Sequence, residues 1–249
     1  MKNLFISRCV GLLVVGCAWI NAGLTAASVE SPDAVAAADE SAQHIVLDPE
    51  TGRLRIGSVE LDPVARRLRF PAQVNMQEGL LEYALVTGGG KLHESLLRTD
   101  VDPMDIQIAL TLLGLKGRAD KTREPSSIQP EGERVRIEVE WREGEGEAAV
   151  PVRKRLERMI TDQRSGESMS DQHWIFTGSR IVDGALMVRQ EGSIVAIYRD
   201  SSAMMENPLP EAVDDTLWYA RQTEVPVPGT SVSVAISVPQ QVKSTISAF

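Results

Sequence analysis

The stretch RVRIEVEW, residues 134–141, indicates what kind of fold the chain adopts. Its apolar side chains Val135, Ile137, Val139 and Trp141 alternate with arginines and glutamates. Successive side chains of a β-strand point to opposite faces, so strict alternation is typical of a strand with one buried face. The stretch therefore predicts a strand that packs its apolar face on a core.

Similar patterns occur on both sides of this stretch. The segment 79–97 contains two apolar runs, 80–86 and 91–97, separated by three glycines, which predicts a β-hairpin. Further strands are predicted in residues 53–62, 66–74, 173–182, 184–188, 192–200 and 230–239.

A helix is predicted near residues 103–114. Asp102 is a favourable N-cap, and Pro103 suits the first helical position. Apolar residues such as Ile106 and Leu110 recur at helical spacing on a wide stripe, so the helix should be buried. Some eight strands with two or three short helices predict a β-rich α+β fold built mainly from antiparallel sheets.

The N-terminus has the pattern of a secretory signal peptide, residues 1–27. Lys2 and Arg8 precede an apolar run at 9–24, and the small residues at 25–28 suit cleavage. The run is short for a bilayer span, which takes about 20 apolar residues. We therefore expect a periplasmic or secreted protein.

A second way of processing the N-terminal segment is indicated by a different sequence pattern. The letters VVGC at 14–17 fit a bacterial lipobox, in which Cys17 would carry the lipid. Such a protein would be an outer-membrane lipoprotein that meets the membrane only through its anchor. Trp19 and Leu24 keep the segment apolar beyond Cys17, which favours the signal-peptide alternative.

Composition excludes several classes of site. Cys9 and Cys17 are the only cysteines, and both precede the predicted mature domain. Disulfides, thiolate nucleophiles, cysteine-ligated zinc and iron–sulfur clusters are therefore excluded there, and no cofactor is predicted. The net charge of −9 argues against a nucleic-acid partner.

Three regions follow the leader. Residues 28–43 are small and acidic, as in a disordered tether. Residues 44–240 are expected to form a single β-rich domain, and residues 241–249 a C-terminal tail.

Six segments, taken in order, resemble the YdjY-type domain of exported bacterial proteins. The segments are VELDPVARRLRFPAQVN, GLLEYALVTGGGKLHESLL, DPMDIQIALTLLGLKG, HWIFTGSRI, EGSIVAIYRD and VPGTSVSVAISVP. The resemblance covers nearly all of residues 50–240 and implies a mostly uncharacterised family. Some of its members carry a ferredoxin-like label, but this domain has no cysteine to hold a cluster. The family's helix often has a histidine where this chain has Gln107, which argues against a histidine-rich metal site.

His93 and Glu94 are the first candidates for chemistry. Either of them could join Asp100 near the predicted helix start, as a metal site or as a general base with its orienting group. His173 is a second candidate metal ligand. The structural alternative is that these side chains hydrogen-bond nearby turns, and adjacent side chains on a strand face opposite ways.

The remaining motifs do not predict catalysis. GGGK at 88–91 lacks the following Ser or Thr and the helix of a phosphate-binding loop. The preferred interpretation is therefore a non-catalytic binding domain of the cell envelope, whose partner is an unknown envelope protein or small ligand. Two alternatives are a metal-binding protein or metal-assisted hydrolase centred on His93 and Glu94, and a redox accessory protein without an iron–sulfur cluster.

Overall fold

The computed structural model describes residues 45–122, 129–144 and 146–239. The predicted signal peptide, Cys17, the tether and the C-terminal tail lie outside the described residues. The strands are β1 Ile45–Leu47, β2 Leu54–Ile56, β3 Val59–Asp62, β4 Arg67–Val74, β5 Tyr83–Thr87, β6 Ser95–Thr99, β7 Glu133–Glu143, β8 Val150–Arg155, β9 Ile160–Asp162, β10 Trp174–Phe176, β11 Ile181–Val182, β12 Ala185–Leu186, β13 Ser193–Ala196, β14 Met205–Glu206, β15 Trp218–Ala220 and β16 Ser231–Ser237.

The described ranges contain two α-helices, α1 Pro103–Leu112 and α2 Met187–Glu191. The 3-10 helices are Leu92–Glu94, Gly146–Ala148, Leu156–Met159 and Pro210–Val213. None of the helices in these ranges has the length and hydropathy that crossing a bilayer takes.

Eight strands close on themselves to form a barrel. Their order around the wall is β4, β16, β7, β10, β14, β13, β5 and β6. The wall closes where β6 pairs with β4, with Gln73 opposite Arg98 and Val74 opposite Leu97. Strands β1 to β3 continue from the other part of β4, and β8 pairs with the far half of β7.

The predicted α+β fold of mainly antiparallel sheets is therefore wrong. The eight strands of the wall form one closed barrel with mixed pairing. In this barrel β5 and β6 are parallel, as are β13 and β14. Alternation reports only which face of a strand is buried. It does not report which strand lies alongside or whether the sheet closes, and this is why the sequence pattern missed the barrel.

The hairpin predicted in residues 79–97 is also wrong. Tyr83 of β5 pairs with Ser95 of β6 in a parallel register. Residues 88–94, which include the 3-10 helix Leu92–Glu94, carry the chain back to the start of β5 before β6 begins. The glycines at 88–90 mark a turn, but the strands do not run back along each other.

The alternation in residues 134–141 is confirmed in β7. Val135, Ile137 and Val139 are buried in the main core, and the charged residues between them are exposed or half-buried. Phe70 and Trp174 fill the same core. Burial of each large apolar side chain contributes about 1.5–3 kcal/mol, so these side chains account for much of the stability of the barrel.

Helix α1 begins as predicted. The side chain of Asp102 accepts a hydrogen bond of 2.9 Å from the amide of Met104, and Pro103 occupies the first turn. The helix packs against β2, β3 and α2. Gln107, on the same helix, accepts a hydrogen bond of 2.9 Å from the amide of Ser179, which ties α1 to the loop after β10.

Candidate functional site

A cavity of about 860 Å³ opens at one rim of the barrel. Its lining includes Arg66 from the turn between β3 and β4, Glu133 and Arg134 from the start of β7, and His173 from the residue before β10. Trp174, the first residue of β10, pairs with Val135 of β7. His173, the residue just before β10, continues this antiparallel register. Several elements thus bring basic side chains to one concave surface, which we call the rim cavity.

Two arginines at the start of β7 have no ionic partner in the described ranges. Arg134 and Arg136 are exposed on the outer face of the strand, and neither side chain forms a hydrogen bond or ion pair within these ranges. The later charges of the strand are different, because Glu138 and Glu140 pair with arginines of β4 and β8. Arg134 and Arg136 therefore carry unpaired positive charges at the end of β7 that is near the cavity.

Arg66 is held in an unusual backbone conformation. Its φ is 50°, in the left-handed region that side-chain-bearing residues rarely adopt. Its Nη2 donates a hydrogen bond of 3.0 Å to the carbonyl oxygen of Leu113, just after α1. This contact fixes the guanidinium at the wall of the rim cavity, and strain of this kind often occurs at binding sites.

His173 is kept neutral by its surroundings. Burial lowers the pKa of His173 from its ordinary value of 6.5, and the positive charges of Arg136, Arg155 and Arg134 lower it further. The carboxylate of Glu157 opposes them. At neutral pH the imidazole therefore offers one donor and one acceptor rather than a positive charge.

Glu133 is the acidic residue among the charged groups of this lining. Its carboxylate accepts hydrogen bonds of 3.0 Å from the amide of Lys116 and 2.8 Å from the amide of Gly117. These bonds hold the segment that follows α1. Hydrogen bonds from neutral amides do not remove the charge of a carboxylate, so Glu133 offsets one of the two arginines of the lining, Arg66 and Arg134, and the positive charge of the other remains.

Guanidinium groups in a concave, partly dry site suit one kind of ligand. They stay protonated and donate paired hydrogen bonds to carboxylate or phosphate oxygens. With a neutral imidazole beside them, the rim cavity can bind a small anion.

His93 and Glu94 lie elsewhere, on the 3-10 helix before β6 rather than on a strand. The two side chains approach each other, with 3.5 Å between Nε2 and Oε2, and the His93 side chain is 78 % exposed. Asp100 follows the opposite end of β6, about 20 Å from Glu94 at the usual rise of a strand. The structure therefore does not bring Asp100 to these residues.

The metal-ligand candidates do not converge in the described residues. Asp102 caps α1 and also pairs with Arg189 of α2. His173 lies in the rim cavity, whose lining includes neither His93 nor Glu94. Within the described ranges, no group of three or more His, Cys, Asp or Glu side chains could hold a metal ion.

The sequence did contain a signal for the rim cavity. In RVRIEVEW both arginines precede both glutamates, so the outer face of β7 is basic at one end and acidic at the other. The sequence could not show that the basic end reaches a cavity, since Arg66 and His173 come from distant segments.

A second polar cluster lies on the outer face of the barrel wall. Glu206 is buried between two arginines, with 3.4 Å from Oε1 to Nη2 of Arg118 and 3.4 Å from Oε2 to Nη1 of Arg199. Burial raises the pKa of Glu206, and the two arginines lower it. Both Glu206 and Arg118 are almost inaccessible to solvent, so this cluster fixes the loop after β13 and the segment after α1.

A hydrogen-bonded chain lies beside that cluster. Lys91 donates to the hydroxyl of buried Tyr83 over 2.6 Å, and Tyr83 donates to the carboxylate of Asp200 over 3.0 Å. In register, Tyr83 and Glu206 both neighbour Ala196 of β13. Burial is the main reason that the pKa of Tyr83 is raised to about 12, so its hydroxyl remains a donor.

Comparison with known proteins gives a family. No curated protein and no solved structure matches the chain significantly. A family model, that of the YdjY domain, matches residues 59–237, from the first residue of β3 to the last residue of β16. Because this match spans the whole barrel and well over half of the chain, the chain belongs to the YdjY domain family.

Proposed function

We propose that this YdjY domain is an exported protein of the cell envelope that binds a small carboxylate- or phosphate-bearing molecule in the rim cavity, without catalysis. One observation carries the proposal. Arg134 lines the cavity together with Arg66, and Arg136 follows two residues later on the same face of β7; neither Arg134 nor Arg136 has an ionic partner in the described part of the chain. Like charges brought together this way are stabilised when an anion lies among them.

The size of the cavity supports a small molecule as the ligand. Pockets for small ligands usually measure about 300–1,000 Å³, and the rim cavity has about 860 Å³. The chain as a whole is acidic, with a net charge of −9, so a local excess of arginine here is not a general property of its surface.

Binding is the activity that these side chains support directly. Guanidinium groups keep their protons at any physiological pH, and they act through charge and hydrogen bonds rather than through proton transfer. The neutral imidazole of His173 adds a hydrogen bond that it can either donate or accept.

Calorimetric titration at low salt tests the proposal, with citrate and inorganic phosphate as probes. Each hydrogen bond to a charged group contributes about 1.5–3 kcal/mol, so the double variant Arg134→Gln, Arg136→Gln should bind the better probe at least about tenfold more weakly. Arg55→Gln is the matched control, since Arg55 is also exposed on a strand but does not line the cavity. Failure of both probes to bind, or equal affinity in the double variant, would refute the proposal.

Export is tested separately. The pattern of residues 1–27 supports cleavage after Ala27, and VVGC at 14–17 supports lipidation at Cys17 instead. Mass spectrometry of the protein from fractionated cells should find a periplasmic chain that begins near Ser28. An acylated N-terminal cysteine would indicate the lipoprotein alternative, and a full-length cytoplasmic chain would contradict export.

A further inference from the structure

His173 faces charged groups from each element packed around it. From β7 it faces Arg134 and Arg136, from the end of β8 Arg155, from the following 3-10 helix Glu157, and across the cavity Arg66 and Glu133. Two of these groups partly offset each other, because the carboxylate of Glu157 accepts hydrogen bonds of 2.8 Å and 3.3 Å from Arg155.

The charges around the cavity therefore influence how readily the imidazole of His173 binds a proton. With the cavity free of anions, the uncompensated charges of Arg134 and Arg136 disfavour a proton on His173, in addition to the cost of its partial burial. An anion beside these arginines would cancel their field. It would also offer an oxygen to the second ring nitrogen, which can donate only when the ring is protonated.

We propose that the rim cavity takes up its anion together with a proton, which His173 binds from solution, so that the ligand is held more tightly at mildly acidic pH. This rests on the proposed function, because the proton follows the anion into the same cavity. The balance is one proton added to one imidazole nitrogen, with no covalent change. By linkage, the factor by which the anion strengthens proton binding equals the factor by which the proton strengthens anion binding.

The probe for the test is sulfate, because its charge does not change over the range in which histidine titrates. Its affinity for the full-length protein is measured by calorimetry at about pH 5.5 and about pH 8, on either side of the ordinary pKa of histidine. We expect sulfate to bind more tightly at the lower pH, by a factor of up to about ten, which is the limit for a single site whose pKa rises by about one on binding. Nuclear magnetic resonance of the His173 ring should show that rise directly when sulfate is added.

Two variants separate His173 from other groups. His173→Gln should bind sulfate with nearly the same affinity at both pH values. His93→Gln is the matched control, since His93 is exposed and away from the cavity, and it should keep the pH dependence of the natural protein.

The outcomes distinguish this inference from the proposed function. Sulfate binding with the same affinity at both pH values would overturn proton uptake and leave anion binding intact. pH dependence that persists in His173→Gln would also overturn it, because another group would then carry the proton. Absence of sulfate binding at both pH values would overturn the inference, and absence of citrate and phosphate binding as well would overturn the proposed function.

Discussion

The guanidinium of Arg155 donates two hydrogen bonds to the carboxylate of Glu157, one of 2.8 Å from Nη2 and one of 3.3 Å from Nε. The Glu157 side chain is wholly buried, whereas that of Arg155 is 23 % exposed. The same guanidinium contacts the carbonyl oxygen of Gln172, next to His173. This pair thus joins the end of β8 to the chain before β10 and neutralises one of the arginines around the imidazole.

Replacing Glu157 tests this pair. Glu157→Gln leaves Arg155 partly buried without its counter-charge, so we expect a loss of about 2–3 kcal/mol, below the cost of about 3–5 kcal/mol for breaking a wholly buried pair. Urea unfolding followed by circular dichroism measures the loss. The control is Glu143→Gln at the exposed end of β7, which should change stability little. Equal stability of the two variants would contradict the assigned role.

Tyr83→Phe tests the hydrogen-bonded chain on the outer wall. The variant removes the hydroxyl between Lys91 and Asp200, so we expect a loss of about 1–2 kcal/mol at neutral pH. The pKa of Tyr83 is raised from 10.0 to about 12, so between these values the unfolded chain releases this proton first. The stabilisation by Tyr83 is therefore full below about pH 10 and falls by up to about 3 kcal/mol as the pH rises past about 12, which is enough to cancel and then reverse the advantage of about 1–2 kcal/mol over Tyr83→Phe.

Unfolding experiments across the alkaline range measure this effect. The difference in unfolding free energy between the natural protein and Tyr83→Phe should shrink as the pH rises through this range. Taking the difference removes the contribution of the tyrosines and lysines that do not contact Tyr83, whereas Lys91, whose pKa is raised chiefly by its hydrogen bond to Tyr83, remains part of the effect. A difference that stays constant with pH would show that the hydroxyl of Tyr83 titrates normally.

Two local patterns in the sequence, alternation in β7 and the cap of α1, predicted local structure correctly. Alternation placed Val135 and Ile137 inside, because a strand turns every second side chain to the same face. Capping chemistry placed the start of α1 at Asp102 and Pro103, because both residues act within one turn. These features depend on neighbours a few residues away, and such neighbours are visible in a sequence.

Closure of the barrel and the rim cavity depend on distant neighbours. The pairing of Val74 with Leu97 closes the wall, and no property of either segment specifies that register. Glu138 and Glu140, on the same face of β7 as Arg134, pair with arginines of the flanking strands and not with Arg134. The basic end of β7 can be seen in the sequence, but the cavity beside it cannot.

The pKa of His173 should depend on Arg136. Burial is the first cause of its lowered value, and Arg136 is the next, so Arg136→Gln should raise the pKa of His173 toward 6.5. Because the folded value is lowered, the unfolded chain binds this proton first, and stability falls as the pH falls below 6.5. The variant should weaken that acid sensitivity.

Nuclear magnetic resonance titration of the imidazole measures the first effect, and unfolding at mildly acidic pH measures the second. Arg55→Gln again serves as the control and should leave both unchanged. If Arg136→Gln gave the same His173 titration as the natural protein, the charge of Arg136 would not contribute to that pKa.

Alanine substitutions at Gly117 and Gly114 allow the cost of close packing beside the rim cavity to be measured separately from the cost of backbone strain. Both have a positive φ, +71° and +90°, so alanine at either position costs about 1–2 kcal/mol through the backbone alone. A Cβ at Gly117 would lie 2.4 Å from the carbonyl oxygen of Thr177, whereas one at Gly114 meets nothing within 4 Å. Gly117→Ala should therefore lose about 1–3 kcal/mol more than Gly114→Ala in urea unfolding, because the chain must move away from the end of β10. Equal losses would mean that the segment after α1 is not held against β10 and can shift without cost.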